Sequence, residues 1–255
     1  MSPLNGTTGT RLVVVEYAAS GVATIEMRDT AGRNAMSAPF VEELLAGLRE
    51  IAAWDQLKVA VLTGLPDVFS SGADRGVLTA LVDGAIAPSD LLLSKAVLDL
   101  PVPTIAAMEG HALGGGLALG LCADVVLVAR ESRYGCPFMN LGFTPGMGMT
   151  RLLEHVLTPA VAHEMLFTGE PLKGAHFEGR SGFNYVLPRA EVRPKALELA
   201  ERIAEKPQVA LTTLKRTLSL PRRQAFEATR TVEALMHEVT FAQPDVRRFL
   251  EEHFP

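Results

Sequence analysis

Hydrophobic positions along this chain switch between short β-branched runs and stretches with helical spacing. Arg11–Tyr17 and Val22–Arg28 flank Ser20-Gly21 and read as a hairpin. Residues 37–53 carry apolar side chains at helical spacing, with Ser37 as N-cap and Pro39 in the first turn. A buried strand over Val59–Thr63 follows, then a loop over 64–74 and a variable helical region to about Leu100. Thr104–Met108 reads as a strand, followed by a glycine turn, a helix to Leu121 and a strand over Val125–Ala129. This alternation predicts stacked βαβ-type units covered by helices. After about Pro188 the pattern changes. Residues 190–205, 208–218 and 223–241 read as three helices, punctuated by Pro194, Pro207, Pro221 and Pro244. The reading divides the chain into an α/β core over 1–189 and a helical region over 190–255.

Chemistry enters at two turns. The run His111-Ala112-Leu113-Gly114-Gly115-Gly116-Leu117 joins a strand to a small-residue helix. Glycines there let a ligand approach bare backbone and leave N–H groups facing outward, an arrangement suited to an oxyanion such as an enolate. A tight turn packed on a neighbouring helix has the same signature. A second segment, Asp67-Val68-Phe69-Ser70-Ser71-Gly72-Ala73-Asp74, follows the strand over 59–63, supplies another small-residue turn and favours the oxyanion reading.

Composition narrows the classes. The chain has 255 residues, 48% hydrophobic and 21% charged, as expected for a globular enzyme. A net charge of −5 argues against a nucleic-acid surface. The densest basic spots, Lys215-Arg216 and Arg222-Arg223, are expected on solvated helix faces. Cys122 and Cys136 lack metal-site spacing and read as two buried thiols. Met1–Thr10 has no signal-peptide pattern, and the apolar stretch 112–129 is interrupted by glycines and Asp124. The expectation is a cytoplasmic protein with no membrane or nucleic-acid partner.

Four motifs in order carry a family resemblance: Arg33-Asn34-Ala35-Met36, the Ser70–Asp74 turn, the glycine triplet, and Gly142-Phe143-Thr144-Pro145-Gly146-Met147-Gly148. Together they resemble the crotonase (enoyl-CoA hydratase/isomerase) superfamily from about Arg11 to the C-terminus. The resemblance implies an α/β spiral of ββα units, with C-terminal helices that cover the active site and build a homotrimer or dimer of trimers. It assigns the oxyanion hole to the backbone N–H groups of Ala73 and Gly115. It also places the two glutamates of the hydratases onto Ala118 and Phe138, which cannot move a proton. Water addition needs a general base and acid within reach, so hydration is not expected.

An oxyanion hole without those carboxylates suits a substrate that brings its own carboxylate, because loss of CO2 generates the dienolate directly. Phe138, Ala118, Met139 and Leu141 are expected to make the pocket apolar, beside Gly114. The segments over 140–148, 186–192 and Met236-His237-Glu238-Val239-Thr240-Phe241 resemble the decarboxylating crotonases of polyketide β-branching (HMG-CoA-synthase) cassettes. Those relatives act on a 3-methylglutaconyl-type group held on the phosphopantetheine of an acyl carrier protein, within the polyketide synthase machinery. The resemblance carries their acid onto His237, and it implies no metal or redox cofactor. They also use a lysine in the helix after the first oxyanion turn. Here Asp74–Leu81 contains none, leaving Arg75 and Lys95 as candidates to meet a substrate carboxylate. His111 and Tyr134 are expected to be structural, with Tyr134 a possible pocket residue. Two rival readings remain: an isomerase or hydratase with a non-standard acid/base, and a catalytically silent crotonase that binds an acyl thioester or a partner protein.

Overall fold

The computed structural model describes residues 11–86 and 92–253, so the Met1–Thr10 segment lies outside it. Strands β1 (Val13–Tyr17) and β2 (Val22–Met27) pair antiparallel across Ser20-Gly21, as the hairpin pattern predicts. Helix α1 (Ala38–Ala52) starts where Ser37 Oγ accepts from Phe40 N, and its Phe40, Leu44, Leu48 and Ile51 recur on one buried face. Then come β3 (Val59–Thr63), β4 (Val68–Ser70), α2 (Arg75–Val82) and α3 (Leu93–Leu98). The next turn of the spiral is β5 (Thr104–Met108), β6 (His111–Leu113) and α4 (Gly115–Leu121). It is followed by β7 (Val125–Ala129), β8 (Arg133–Gly135), α5 (Met149–Val156), α6 (Pro159–Thr168), β9 (Leu172–Lys173) and β10 (Tyr185–Leu187). Four helices end the chain: α7 (Arg189–Ala204), α8 (Gln208–Leu218), α9 (Leu220–Phe241) and α10 (Pro244–His253).

The strands form two sheets, ordered β1-β2-β3-β5-β7-β10 and β4-β6-β8-β9. Each of β3, β5 and β7 in the larger sheet is followed by a short strand in the smaller one, which makes the ββα spiral. β4, β6, β8 and β9 have two or three residues each, too few to show a two-residue period, so the sequence pattern does not mark them as strands, and β4 falls in the loop read over 64–74. Both faces of the larger sheet are covered. Val59 and Val61 of β3 pack toward α7, whereas Ala60 and Leu62 pack into the main core. That double burial is why β3 and β5 read as continuous apolar runs.

Of the prolines, Pro244 needs a correction. Pro194 lies inside α7, within the single helix read over 190–205. Its missing N–H removes one helical bond, but Val192, Ala196, Ala200 and Ala204 are buried against the sheet, and that packing overrides the local propensity. Pro244 opens a fourth C-terminal helix, α10, where its fixed φ and missing N–H suit a first turn.

The basic spots are also corrected. Lys215 is buried and Arg222 nearly so, because Asp124 pairs with both. Lys215 Nζ lies 2.6 Å from Asp124 Oδ2, which also accepts from Thr104 N at 2.8 Å and Thr104 Oγ1 at 3.0 Å. One carboxylate thus ties α8 and α9 to the strands. Cys122 and Cys136 are buried free thiols, as read from sequence. No helix among the described residues is long and apolar enough to cross a membrane.

Candidate active site

The parallel pairing of β4 with β6 sets two strand-to-helix turns side by side. Gly72 faces the second turn so closely that a Cβ there would stand 2.8 Å from Leu113 O and 3.6 Å from Gly115 N. Gly114 has φ 52° and ψ −121°, a combination that only glycine adopts readily. The first turn is held from below by Asn34, whose Nδ2 donates to Met27 O and Phe69 O at 3.0 Å each. Ser70 Oγ donates to Asn34 O at 2.7 Å, and Asp74 caps α2 by accepting from Val77 N at 2.7 Å. Among the described residues, neither the Ala73 N–H nor the Gly115 N–H has an acceptor within the chain. Both are available to one ligand oxygen.

The two turns form one wall of a cavity of about 100 Å³. Val77, Leu78 and Leu81 come from the inner face of α2, and Phe138, Leu141 and Phe143 from the segment after β8. Met36, Met147 and Phe241 close the remaining sides. Among the described residues of the wall, His237 is the one titratable side chain. A charged group entering this space finds very little to solvate it.

His237 stands on α9, one turn before Phe241 and tilted against its ring, with the centroids 4.9 Å apart. Its Nε2 lies 2.8 Å from Thr144 O, so the neutral imidazole carries its proton on Nε2 and donates to that carbonyl. Nδ1 is buried without a hydrogen-bond partner. Burial pulls the pKa of His237 below the usual histidine value, against the Thr144 and Pro145 carbonyls that favour the charged ring. The ring rests on the glycine-rich segment, where a Cβ at Gly146 would lie 2.6 Å from His237 Cε1.

The structure brings together Ala73, Gly114, Gly115, Phe138, Leu141 and His237, and it moves four other candidates away. Ala118 lies outside the cavity wall, fully enclosed in the core. α4 points its first residues at the cavity and has turned into the packed interior by its fourth. Met139 is 43% exposed, at the start of a short 3-10 turn, whereas Phe138 before it and Leu141 at its end face inward. Lys95 on α3 lies against Asp99 at 2.5 Å and Glu227 at 3.8 Å, in a separate surface groove. Arg75, the first residue of α2, is exposed and outside the cavity wall. No Lys or Arg lines the cavity among the described residues.

Tyr134 is also removed from the site. Its hydroxyl donates to Met108 O at 2.7 Å and accepts from Ala129 N at 2.8 Å inside the core, where burial pushes its pKa up. His111 is structural, its Nδ1 accepting from Arg133 N at 2.8 Å. Glu233, absent from the sequence reading, is buried one turn before His237. The available signal was its position: Phe226, Glu233, His237 and Phe241 follow one helical stripe, and a carboxylate in such a stripe asks for partners. Among the described residues no cluster of three or more His, Cys, Asp or Glu side chains is placed to hold a metal.

The family model for enoyl-CoA hydratase/isomerase matches residues 17–254. The chain belongs to that family, the crotonase superfamily. It is 38% identical over 228 residues to the bacillaene synthase decarboxylase PksI of Bacillus subtilis, covering 89% of this chain and 92% of that one. Among solved structures it resembles one from a dehydratase/decarboxylase enzyme couple involved in polyketide β-branching, at 37% identity and a TM-score of 0.92, covering 95% of this chain and 99% of that chain. It also resembles the ECH2 decarboxylase domain of CurF from Lyngbya majuscula, at 36% identity and a TM-score of 0.89, covering 96% and 100%. The fold of the crotonases and the likeness to their polyketide decarboxylases both agree with the sequence reading.

Proposed function

We propose that this crotonase is an acyl-thioester decarboxylase of polyketide β-branching, converting a 3-methylglutaconyl-type thioester on an acyl carrier protein to a 3-methylcrotonyl-type thioester. The observation that carries the reading is the composition of the cavity: two unspent N–H groups, an apolar wall and a single titratable side chain, His237. The thioester oxygen accepts from Ala73 N–H and Gly115 N–H, donors that strengthen as the oxygen gains charge, each worth roughly 3–4 kcal/mol. The substrate carboxylate sits against Phe138 and the aliphatic residues of α2, poorly solvated, whereas the transition state disperses its charge. The bond to the carboxylate breaks, CO2 leaves, and the electron pair enters the dienolate. The His237 imidazolium gives a proton to carbon and regains one from solvent. The absence of a carboxylate at position 118 or 138 speaks against hydration.

The reading extends to assembly as a homotrimer or dimer of trimers with the C-terminal helices as its interface and as the cover of the site. The exposed apolar side chains of Leu214, Leu218 and Val232 support it. Light scattering that finds a folded monomer would remove the assembly claim. For the chemistry, His237→Ala is expected to lower decarboxylation of a 3-methylglutaconyl carrier-protein thioester by about 100-fold or more. Mass spectrometry of the carrier protein follows the loss of CO2. Wild-type turnover by the variant, with chemistry rate-limiting, would mean that another acid is used.

A further inference from the structure

Three polar side chains of α9 reach the segment over 144–150. Glu233, His237 and Thr240 fall at i, i+4 and i+7 on one helical face. His237 Nε2–H donates to Thr144 O, and Thr240 Oγ1 lies 3.4 Å from Thr144 Oγ1. The third contact is the strongest. Glu233 Oε2 accepts from Gly148 N at 2.7 Å, while Oε1 accepts from Thr150 Oγ1 at 2.7 Å and Thr150 N at 3.1 Å. Both carboxylate oxygens are therefore committed to the entry of α5.

The held segment runs to the other half of the site. Met147 has φ 60°, a left-handed conformation that a non-glycine side chain adopts only when its surroundings enforce it. Its sulfur packs on the oxyanion turn, since a Cβ at Gly115 would stand 2.8 Å from Met147 Sδ. Glu233 fixes the residue next to this strained position, and Ser94 Oγ donates to Met147 O at 3.1 Å. One short piece of backbone, Gly146 to Gly148, thus separates the imidazole from the oxyanion donors and touches both.

We propose that Glu233 is a positioning residue that locks α9 to the Gly146–Gly148 segment, fixing His237 in its Nε2–H form at a set distance from the oxyanion turn. A glutamate serving only stability would need no such link between the acid and the donors. The inference rests on His237 being the proton donor and deepens that reading. Glu233 acts through His237 and Gly148 and does not line the cavity. A glutamine there cannot reproduce the carboxylate, because its NH2 would face either the Gly148 N–H or the Thr150 donors. Loss of one attachment lets the imidazole and the turn shift relative to one another, and a displacement on the order of 1 Å at a reacting group can cost about 100-fold.

The test compares wild type, Glu233→Gln and Thr150→Val, the last removing only the Oγ1 contact. Two readouts are needed: kcat and KM for CO2 loss from the carrier-protein thioester, and ¹⁵N NMR of the imidazoles without substrate. The expected result for Glu233→Gln is a fall in kcat of about 10- to 100-fold with KM nearly unchanged. The His237 nitrogens, protonated at Nε2 and bare at Nδ1 in wild type, should report mixed tautomers. Thr150→Val should show the same changes in smaller degree, and it keeps the test open should Glu233→Gln not fold. Folded variants with lowered Tm but wild-type kcat and wild-type His237 nitrogen shifts would overturn the proposal. Failure of the acid assignment looks different: His237→Ala would keep turnover, while the tautomer change in Glu233→Gln would persist.

Discussion

The two ends of α9 bury polar groups in opposite ways. At its start, Arg222 joins Lys215 on Asp124, and every charge there has a partner. Toward its end, His237 enters an apolar cavity with Nδ1 unpaired. The first arrangement is closed, with a carboxylate that also accepts from Thr104, and it has nothing left to offer a ligand. The second is incomplete, beside two backbone N–H groups that are also unspent. Saturated polar clusters hold elements in place, whereas unsatisfied ones in a cavity mark the place of chemistry.

Breaking the closed end should have the largest effect on folding. Asp124→Ala leaves Lys215 and Arg222 without their carboxylate and is expected to cost about 3–5 kcal/mol in denaturant unfolding. Activity per folded molecule should survive. A variant with unchanged stability would show that the cluster does not anchor α8 and α9.

The open end should respond to pH. Because burial lowers the pKa of His237, the proton-donating form is lost early as pH rises, and kcat should fall with a midpoint below about 6.5. Stability runs the other way. A folded-state pKa below the unfolded value contributes stability above about pH 6.5 that is lost as pH falls through the lowered pKa. Wild type should therefore lose stability on acidification more steeply than His237→Phe, in thermal melts over the same range. Equal slopes would contradict the burial of the ring.

The smallest effect is expected at Lys95. Its contacts with Asp99 and Glu227 are half-exposed, so Lys95→Ala should change stability by no more than about 1 kcal/mol and leave kcat alone. A large loss of activity would return Lys95 to the substrate carboxylate.

Much of this was legible in the sequence where physical signals are local. The hairpin at Ser20-Gly21, the Ser37 cap and the apolar runs of β3 and β5 are local signals, and each stands where the pattern set it. The two glycine turns could be read because glycine at 72 and 114 answers to backbone geometry. What escaped depends on partners distant in sequence. Lys215 is buried only because Asp124 stands 91 residues earlier, and Glu233 is satisfied only by Gly148 and Thr150. The resemblance puts Ala118 at a family glutamate position and the expected apolar pocket puts Met139 beside it, but the helical turn and the 3-10 turn rotate both away from the cavity.

The central claim is that this oxyanion cavity removes CO2 and does not add water. The most direct measurement supplies the purified protein with a 3-methylglutaconyl carrier-protein thioester and a crotonyl thioester, each in D2O, and follows both by mass spectrometry. The expected result is loss of CO2 from the first with one deuteron gained on carbon, and no water taken up by the second. Robust hydration of the crotonyl thioester, with the carboxylated substrate left intact, would contradict the account.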